Sequence, residues 1–137
     1  MNILGLGTGI IECLRIGKMI ERHGELFINR VYTMNEIRFC QTRRHATQEF
    51  AGRWAAKEAV LQLLGARPKP GLSYRDIELR NDSLGKPTVR LRGGLRDLVV
   101  SQGIQEILVA IAHSRMHAVA HAIALGGTGK SMLDDEG

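Results

Sequence analysis

Aromatic residues are scarce: three Phe, two Tyr and one Trp make up 4% of the 137 residues. A core poor in rings must be built from Leu, Ile, Val and Ala, and the chain lacks the stacked aromatic platform that single-stranded nucleic acid needs. Cysteine is nearly absent as well. Cys13 and Cys40 both sit in helical patterns, which excludes a disulfide-framed secreted scaffold and reads as two buried reduced thiols. No apolar run is long enough to cross a bilayer. The apolar start, Met1 to Ile11, has neither a basic n-region nor a cleavage-like site. A cytoplasmic protein without a membrane partner is the expectation. Acidic residues are outnumbered, 14 against 19 Lys and Arg, giving a net charge of +5 and a pI near 9.7. Lys130 faces Asp134, Asp135 and Glu136 in the last twelve residues, so the body is more basic than the whole. Such a body attracts anions: nucleic acid, phosphorylated ligands or an acidic protein. No nucleic-acid-binding motif is present, so nucleic acid is not expected as a partner.

What is there fits one globular domain over 1–125, with 126–137 expected as a flexible tail. Ile3 to Thr8 reads as a Gly-rich buried strand. Residues 12 to 23 read as a helix, with Cys13, Ile16, Gly17 and Ile20 on one stripe and Arg15, Lys18, Met19 and Arg22 on the opposite one. Gly24 breaks it before a helical turn through Phe27 and Ile28. Thr33-Met-Asn-Glu36 is a capping box that starts a helix running to about Arg43. The strongest helix spans 46–64 and stops at Gly65. Ile77 and Leu79, a turn at 81–85, and Thr88 to Leu91 predict a hairpin. A short helix from Leu95 to Val100 follows. The last two strands are Ile107 to Ala112 and Ala118 to Leu125, joined by a turn at 114–116. Ala118, Ala120, Ala122 and Ala124 share one strand face, and Ala51, Ala55 and Ala59 share a helix stripe. Small residues on both surfaces predict a long central helix lying close on an antiparallel sheet, an α+β fold.

Three motifs fail on inspection. Gly5-Leu-Gly-Thr-Gly9 lacks the last glycine of a dinucleotide fingerprint, because Ile10 stands there. Gly127-Thr-Gly-Lys-Ser131 lacks the first glycine of a phosphate-binding loop and the helix that should follow it. His113, His117 and His121 flank a turn and enter a strand, so their spacing of four does not gather them into a metal site.

The stretch Ala55-Ala-Lys-Glu58-Ala59 turns a carboxylate toward a largely apolar helix side, where it needs a cation: an arginine from elsewhere, or a hard metal ion held by oxygen. Asp82 to Pro87 is a tight turn with Gly85 for close approach and Lys86 for charge. His113 ends an apolar strand.

In this order these pieces resemble the holo-acyl-carrier-protein synthase family of phosphopantetheinyl transferases. The likeness runs from about Ile3 to Leu125. It rests on Gly5-Leu-Gly-Thr8 followed by Glu12 and Arg15; Phe50-Ala-Gly-Arg-Trp-Ala-Ala-Lys-Glu-Ala59; Asp76-Ile-Glu78; Gly85-Lys-Pro87; and Ile111-Ala-His113. The resemblance implies transfer of the 4′-phosphopantetheine group from coenzyme A to a serine of an acyl carrier protein, dependent on Mg2+, with adenosine 3′,5′-bisphosphate released. It implies Glu58 as metal ligand and catalytic group, and Arg53, Gly85, Lys86, Pro87 and His113 as the grip on coenzyme A. It also implies a basic carrier-docking stripe of Arg15, Met19 and Arg22, with Arg30 beyond, and a homotrimer with sites between subunits. Three positions depart from the pattern: Gly9 replaces an aspartate that shares the metal at the end of the first strand, Gln62 replaces a lysine, and Ala112 replaces a serine. Glu12 is expected in the first turn of the following helix, too far along to substitute directly for Gly9; a water filling the vacancy and an engineered change at this position are both open readings of that glycine. Gly9 and Gln62 also motivate an alternative, a relative that binds coenzyme A or the carrier without turnover.

Overall fold

The computed structural model describes residues 1–127, so the expected tail lies outside the described residues beyond Gly127. Its elements in chain order are β1 (Asn2–Glu12), α1 (Cys13–His23), α2 (Glu25–Val31), α3 (Met34–Gln41), α4 (Ala46–Leu64), a 3-10 turn (Tyr74–Asp76), β2 (Ile77–Asn81), β3 (Pro87–Leu91), α5 (Gly93–Ser101), β4 (Ile104–His113) and β5 (His117–Gly126). The expected α+β architecture is present. Its antiparallel strands form two sheets, β1-β5-β4 and the hairpin β2-β3.

Helix α4 is central because it is buried nearly all round. Phe50, Ala51, Ala55, Ala56, Ala59, Val60, Leu61 and Leu64 are all in the core. Its alanine stripe meets the alanine face of β5, where Ala118, Ala120, Ala122 and Ala124 are fully buried. On the same face of the sheet, Gly7 and Gly9 of β1 have no side chain to hold α4 away. A Cβ on Gly7 would lie 1.9 Å from the Ala59 carbonyl oxygen, and one on Gly9 would lie 2.0 Å from that of Ala55. Strand and helix backbones are therefore in direct contact.

The first strand is longer than its glycines suggest. Ile10, Ile11 and Glu12 continue it, paired with Val119, Ala118 and His117 of β5. β-branched side chains favour that extension. Gly9 thus lies inside β1 rather than at its end, and Glu12 is its last residue rather than part of the helix. Gly126, assigned to the tail from sequence, is buried in β5 opposite Asn2 and Ile104. The third helix ends at Gln41, and Thr33 and Glu36 form the full capping box at its start.

A buried charge network ties α3 and α4 to the hairpin. Lys57, fully buried, meets Glu36 at 2.8 Å and donates to the carbonyls of Tyr74 and Ile77. Glu36 in turn accepts from the backbone N–H of Thr33 and of Leu79. Burial lowers the Lys57 pKa, while the neighbouring Glu36 and Glu78 work against that shift.

The opposite face of the three-stranded sheet is apolar and uncovered in the single chain. Leu6, Ile10 and Ile3 are each about two-thirds exposed, and Leu108 is also exposed. The register sets Leu6, Ile123 and Leu108 in one row, Thr8, His121 and Ala110 in the next, and Ile10, Val119 and Ala112 in the third.

Candidate functional site

At the N-terminal half of α4, Gly52 removes a side chain where β4 ends. A Cβ there would lie 3.0 Å from Ile111 Cγ2 and 3.7 Å from the His113 ring. That close approach lets Arg53 and His113 open onto one groove of about 330 Å³ with Gly85 and Pro87 of the hairpin turn. Phe39, Arg43, Glu49, Gly52, Asn81 and Ile111 complete its lining. Arg53 is 4% exposed. Its guanidinium lies 4.0 Å from the Phe39 ring centroid, with Arg43 at 4.2 Å from the same ring. Arg53 donates weakly to Asn81 Oδ1 at 3.4 Å and stands 3.6 Å from Glu49, while its Nε is buried without a partner. An orphaned guanidinium N–H is costly unless a ligand supplies the acceptor. His113 Nε2 lies 3.6 Å from Glu49, which makes Glu49 the acidic wall of an otherwise basic hollow.

The turn that presents Gly85 is self-supporting. Asp82 Oδ1 accepts from the backbone N–H of Leu84 and Lys86, and Gly85 adopts a positive φ of 84° that favours glycine. Lys86 does not line the Arg53 groove but an adjoining hollow between the hairpin, α5 and β4, with Asp82, Thr88 and Arg96.

Glu58 lies five residues beyond Arg53, about 140° around the helix. It does not line the Arg53 groove. It is partly buried, and its Oε1 accepts from Tyr74 Oη at 2.6 Å and from Trp54 Nε1 at 3.1 Å. Burial, with Glu58 beside it, pushes the Tyr74 phenol up to about 12, so the hydroxyl stays a donor at ordinary pH. Oε2 takes no hydrogen bond among the described residues.

Two departures seen in the sequence prove to be structural. There is no vacancy at Gly9 for a water: the Ala55 carbonyl of α4 occupies the space. Gln62 accepts from the Thr8 N–H through Oε1 at 2.6 Å, binding β1 to α4 just beside that contact. Among the described residues no three His, Cys, Asp or Glu gather to hold a metal. The donor set at Glu58 is one carboxylate oxygen. That fits magnesium, which uses one or two carboxylates together with substrate phosphates and keeps several waters.

Arg15, Met19 and Arg22 line a shallow groove on α1 with Glu12, Leu14 and Lys18. Met19 is half-buried and packs on the core, while both arginines are exposed. Arg30 is exposed on α2 and does not line that groove. His113, His117 and His121 stay apart, on β4, at the start of β5 and on the outer sheet face. Phe39, Arg43, Glu49 and Asn81 were missed in the sequence. They come from separate elements, and only the fold brings them together.

A family model described as the 4′-phosphopantetheinyl transferase superfamily matches residues 5–122. The holo-[acyl-carrier-protein] synthase of Ruminiclostridium cellulolyticum is 42% identical over 130 residues, covering 93% of this chain and 97% of its own. The crystal structure of the holo-ACP synthase of Plasmodium yoelii superposes with a TM-score of 0.79 at 32% identity, covering 93% of this chain and 98% of that one. The Bacillus anthracis synthase, solved in complex with CoA (3′,5′-ADP), gives 0.75 at 32% identity, covering 91% and 98%. With the groove, the glycine turn and the helix carboxylate in place, this chain belongs to the 4′-phosphopantetheinyl transferase superfamily and, within it, to the holo-acyl-carrier-protein synthases.

Proposed function

We propose that this chain moves the 4′-phosphopantetheine arm of coenzyme A onto a serine of an acyl carrier protein. The observation that carries the reading is the groove in which Arg53, with its unpartnered Nε, converges with His113, Arg43 and the Gly85 turn. An anion with several oxygens is the ligand such a hollow needs, and the bisphosphate of coenzyme A is one. The serine oxygen attacks the β-phosphorus of coenzyme A. The bond from that phosphorus to the bridging oxygen breaks, adenosine 3′,5′-bisphosphate leaves, and the serine proton passes to solvent by way of a water beside Glu58. Such transfers depend on positioning and charge neutralisation more than on covalent help from the protein. Mg2+ held at Glu58 would offset the charge that builds on the pyrophosphate. Arg53, Arg43 and His113 hold the leaving bisphosphate, the Gly85-Lys86-Pro87 turn closes over it, and Lys86 lends charge from the adjoining hollow.

Glu58 and the Arg53 groove lie on different sides of α4, so one chain does not assemble the site alone. A second copy completes it in this reading. The uncovered apolar sheet face is the surface for that association, which supports a homotrimer with sites between subunits. The carrier, an acidic protein, docks on the exposed Arg15 and Arg22 with Met19 as a small apolar contact, and Arg30 extends the basic field. The reaction belongs to cytoplasmic fatty acid synthesis, where carriers need the arm.

A coenzyme A carrying a fluorophore on its thiol tests the transfer. With Mg2+ and apo carrier, the label should become covalently attached to the carrier, and a carrier whose acceptor serine is replaced by alanine should stay dark. A dark wild-type carrier at high enzyme concentration would refute the reading.

A further inference from the structure

Position 9 offers no carboxylate, and the helix backbone fills its space, so it gives Glu58 no help in holding a cation. A lone carboxylate on a helix surface can turn about its terminal torsions, and a freely turning ligand binds a cation poorly. Here two donors hold one of its oxygens. Trp54 sits one helical turn before Glu58 and donates its indole N–H to Oε1, while Tyr74, from the 3-10 turn, donates its hydroxyl to the same oxygen. The two rings support each other edge to face at 5.9 Å, and Trp54 rests on Phe27 at 5.4 Å. Tyr74 is anchored from behind, because its carbonyl accepts from the buried Lys57 ammonium.

We propose that Trp54 and Tyr74 are positioning residues that pin Oε1 of Glu58 and thereby present Oε2 to a divalent cation. This rests on the transferase reading for what the cation does, but the positioning can be measured without any transfer. Hydrogen-bonded supports of metal ligands commonly matter about 10-fold or more in metal affinity. One carboxylate oxygen is also a weak site by itself, so the cation should bind together with the pyrophosphate of coenzyme A rather than before it.

Trp54 is the only tryptophan in the chain, so its fluorescence reports on this carboxylate. Mn2+, a paramagnetic stand-in for magnesium, should quench it in the presence of coenzyme A. In Tyr74→Phe, which keeps both ring contacts, the Mn2+ concentration for half-quenching should rise about 10-fold. In Glu58→Gln, quenching should be lost. In the transfer assay Tyr74→Phe should need correspondingly more Mg2+ and regain near wild-type turnover when Mg2+ is saturating. A role confined to folding would instead lower turnover at every Mg2+ concentration. Equal half-quenching in wild type and Tyr74→Phe, or no quenching of the wild type, would overturn the proposal. If quenching shifts as described while the wild type never modifies a carrier, the positioning stands and the transferase reading falls.

Discussion

At the residue scale, the chain uses its buried charges for two separate purposes. Lys57 and Glu36 act as a bolt. Both are fully buried, and their hydrogen bonds reach α3, the 3-10 turn and β2. Replacing Lys57 with Met would strand Glu36 and two carbonyls, and should cost about 3–5 kcal/mol in urea unfolding. Glu78 gives an acid-sensitive contribution. Burial alone would raise its carboxyl, but hydrogen bonds from Thr33 and Arg80 and the charges of Arg80 and Arg92 bring it below its ordinary value. A depressed carboxylate contributes stability above its unfolded pKa, about 4.3, and that contribution is lost as pH falls through the lower folded value. Melting temperature should therefore drop as pH is lowered below about 4, and less steeply in Glu78→Gln. The residues that bear these charges were visible in the sequence; their partners were not. Lys57 lay within the motif that named the family, yet nothing in the chain order said that it would turn inward to Glu36. Arg53 was assigned to the coenzyme, but its cradle of Phe39, Arg43 and Asn81 is drawn from positions 39 to 81, too scattered to read in advance.

At the scale of elements, periodicity worked where one side chain type marked one face. Helix α4 has the expected limits, 46–64, because a polar-to-apolar change and an αL Gly65 bound it. The alanine faces of β5 and α4 meet as the sequence indicated. β1 runs past the end that Gly5, Gly7 and Gly9 predict, glycine normally weakening a strand. The strand persists because α4 and β5 hold it on two sides and Gln62 accepts from its Thr8 N–H. The same contact explains two departures from the family pattern at once. Glycine at 9 and glutamine at 62 bring strand and helix together, and neither requires that the enzyme has lost its chemistry. Restoring an acid at this point should not be benign. Gly9→Asp would set a Cβ 2.0 Å from the Ala55 carbonyl oxygen, and overpacking of this kind costs about 1–3 kcal/mol. Thermal unfolding of Gly9→Asp should show a clear loss; an unchanged melting temperature would mean that the two backbones separate easily.

At the scale of the whole molecule, the basic body and the open sheet are the two features that one chain leaves without a partner. The charge excess was plain from composition, and it narrowed the partners to anions without choosing among them. The apolar outer face is not legible in the sequence, because Leu6, Ile10, Ile123 and Leu108 belong to strands whose registers only the fold defines. If that face joins copies, Ile10→Lys should shift the chain to monomers in sedimentation velocity while leaving its circular dichroism unchanged. Transfer activity should fall with the loss of assembly, because Glu58 and the Arg53 groove belong to different sides of the helix. The most direct test of the account is the intact mass of an apo acyl carrier protein after incubation with coenzyme A, Mg2+ and either the wild-type chain or Glu58→Ala. The wild type should add the mass of one phosphopantetheine arm, and Glu58→Ala should be slower by about 100-fold or more. A carrier modified equally fast by both would contradict the assignment of chemistry to that carboxylate.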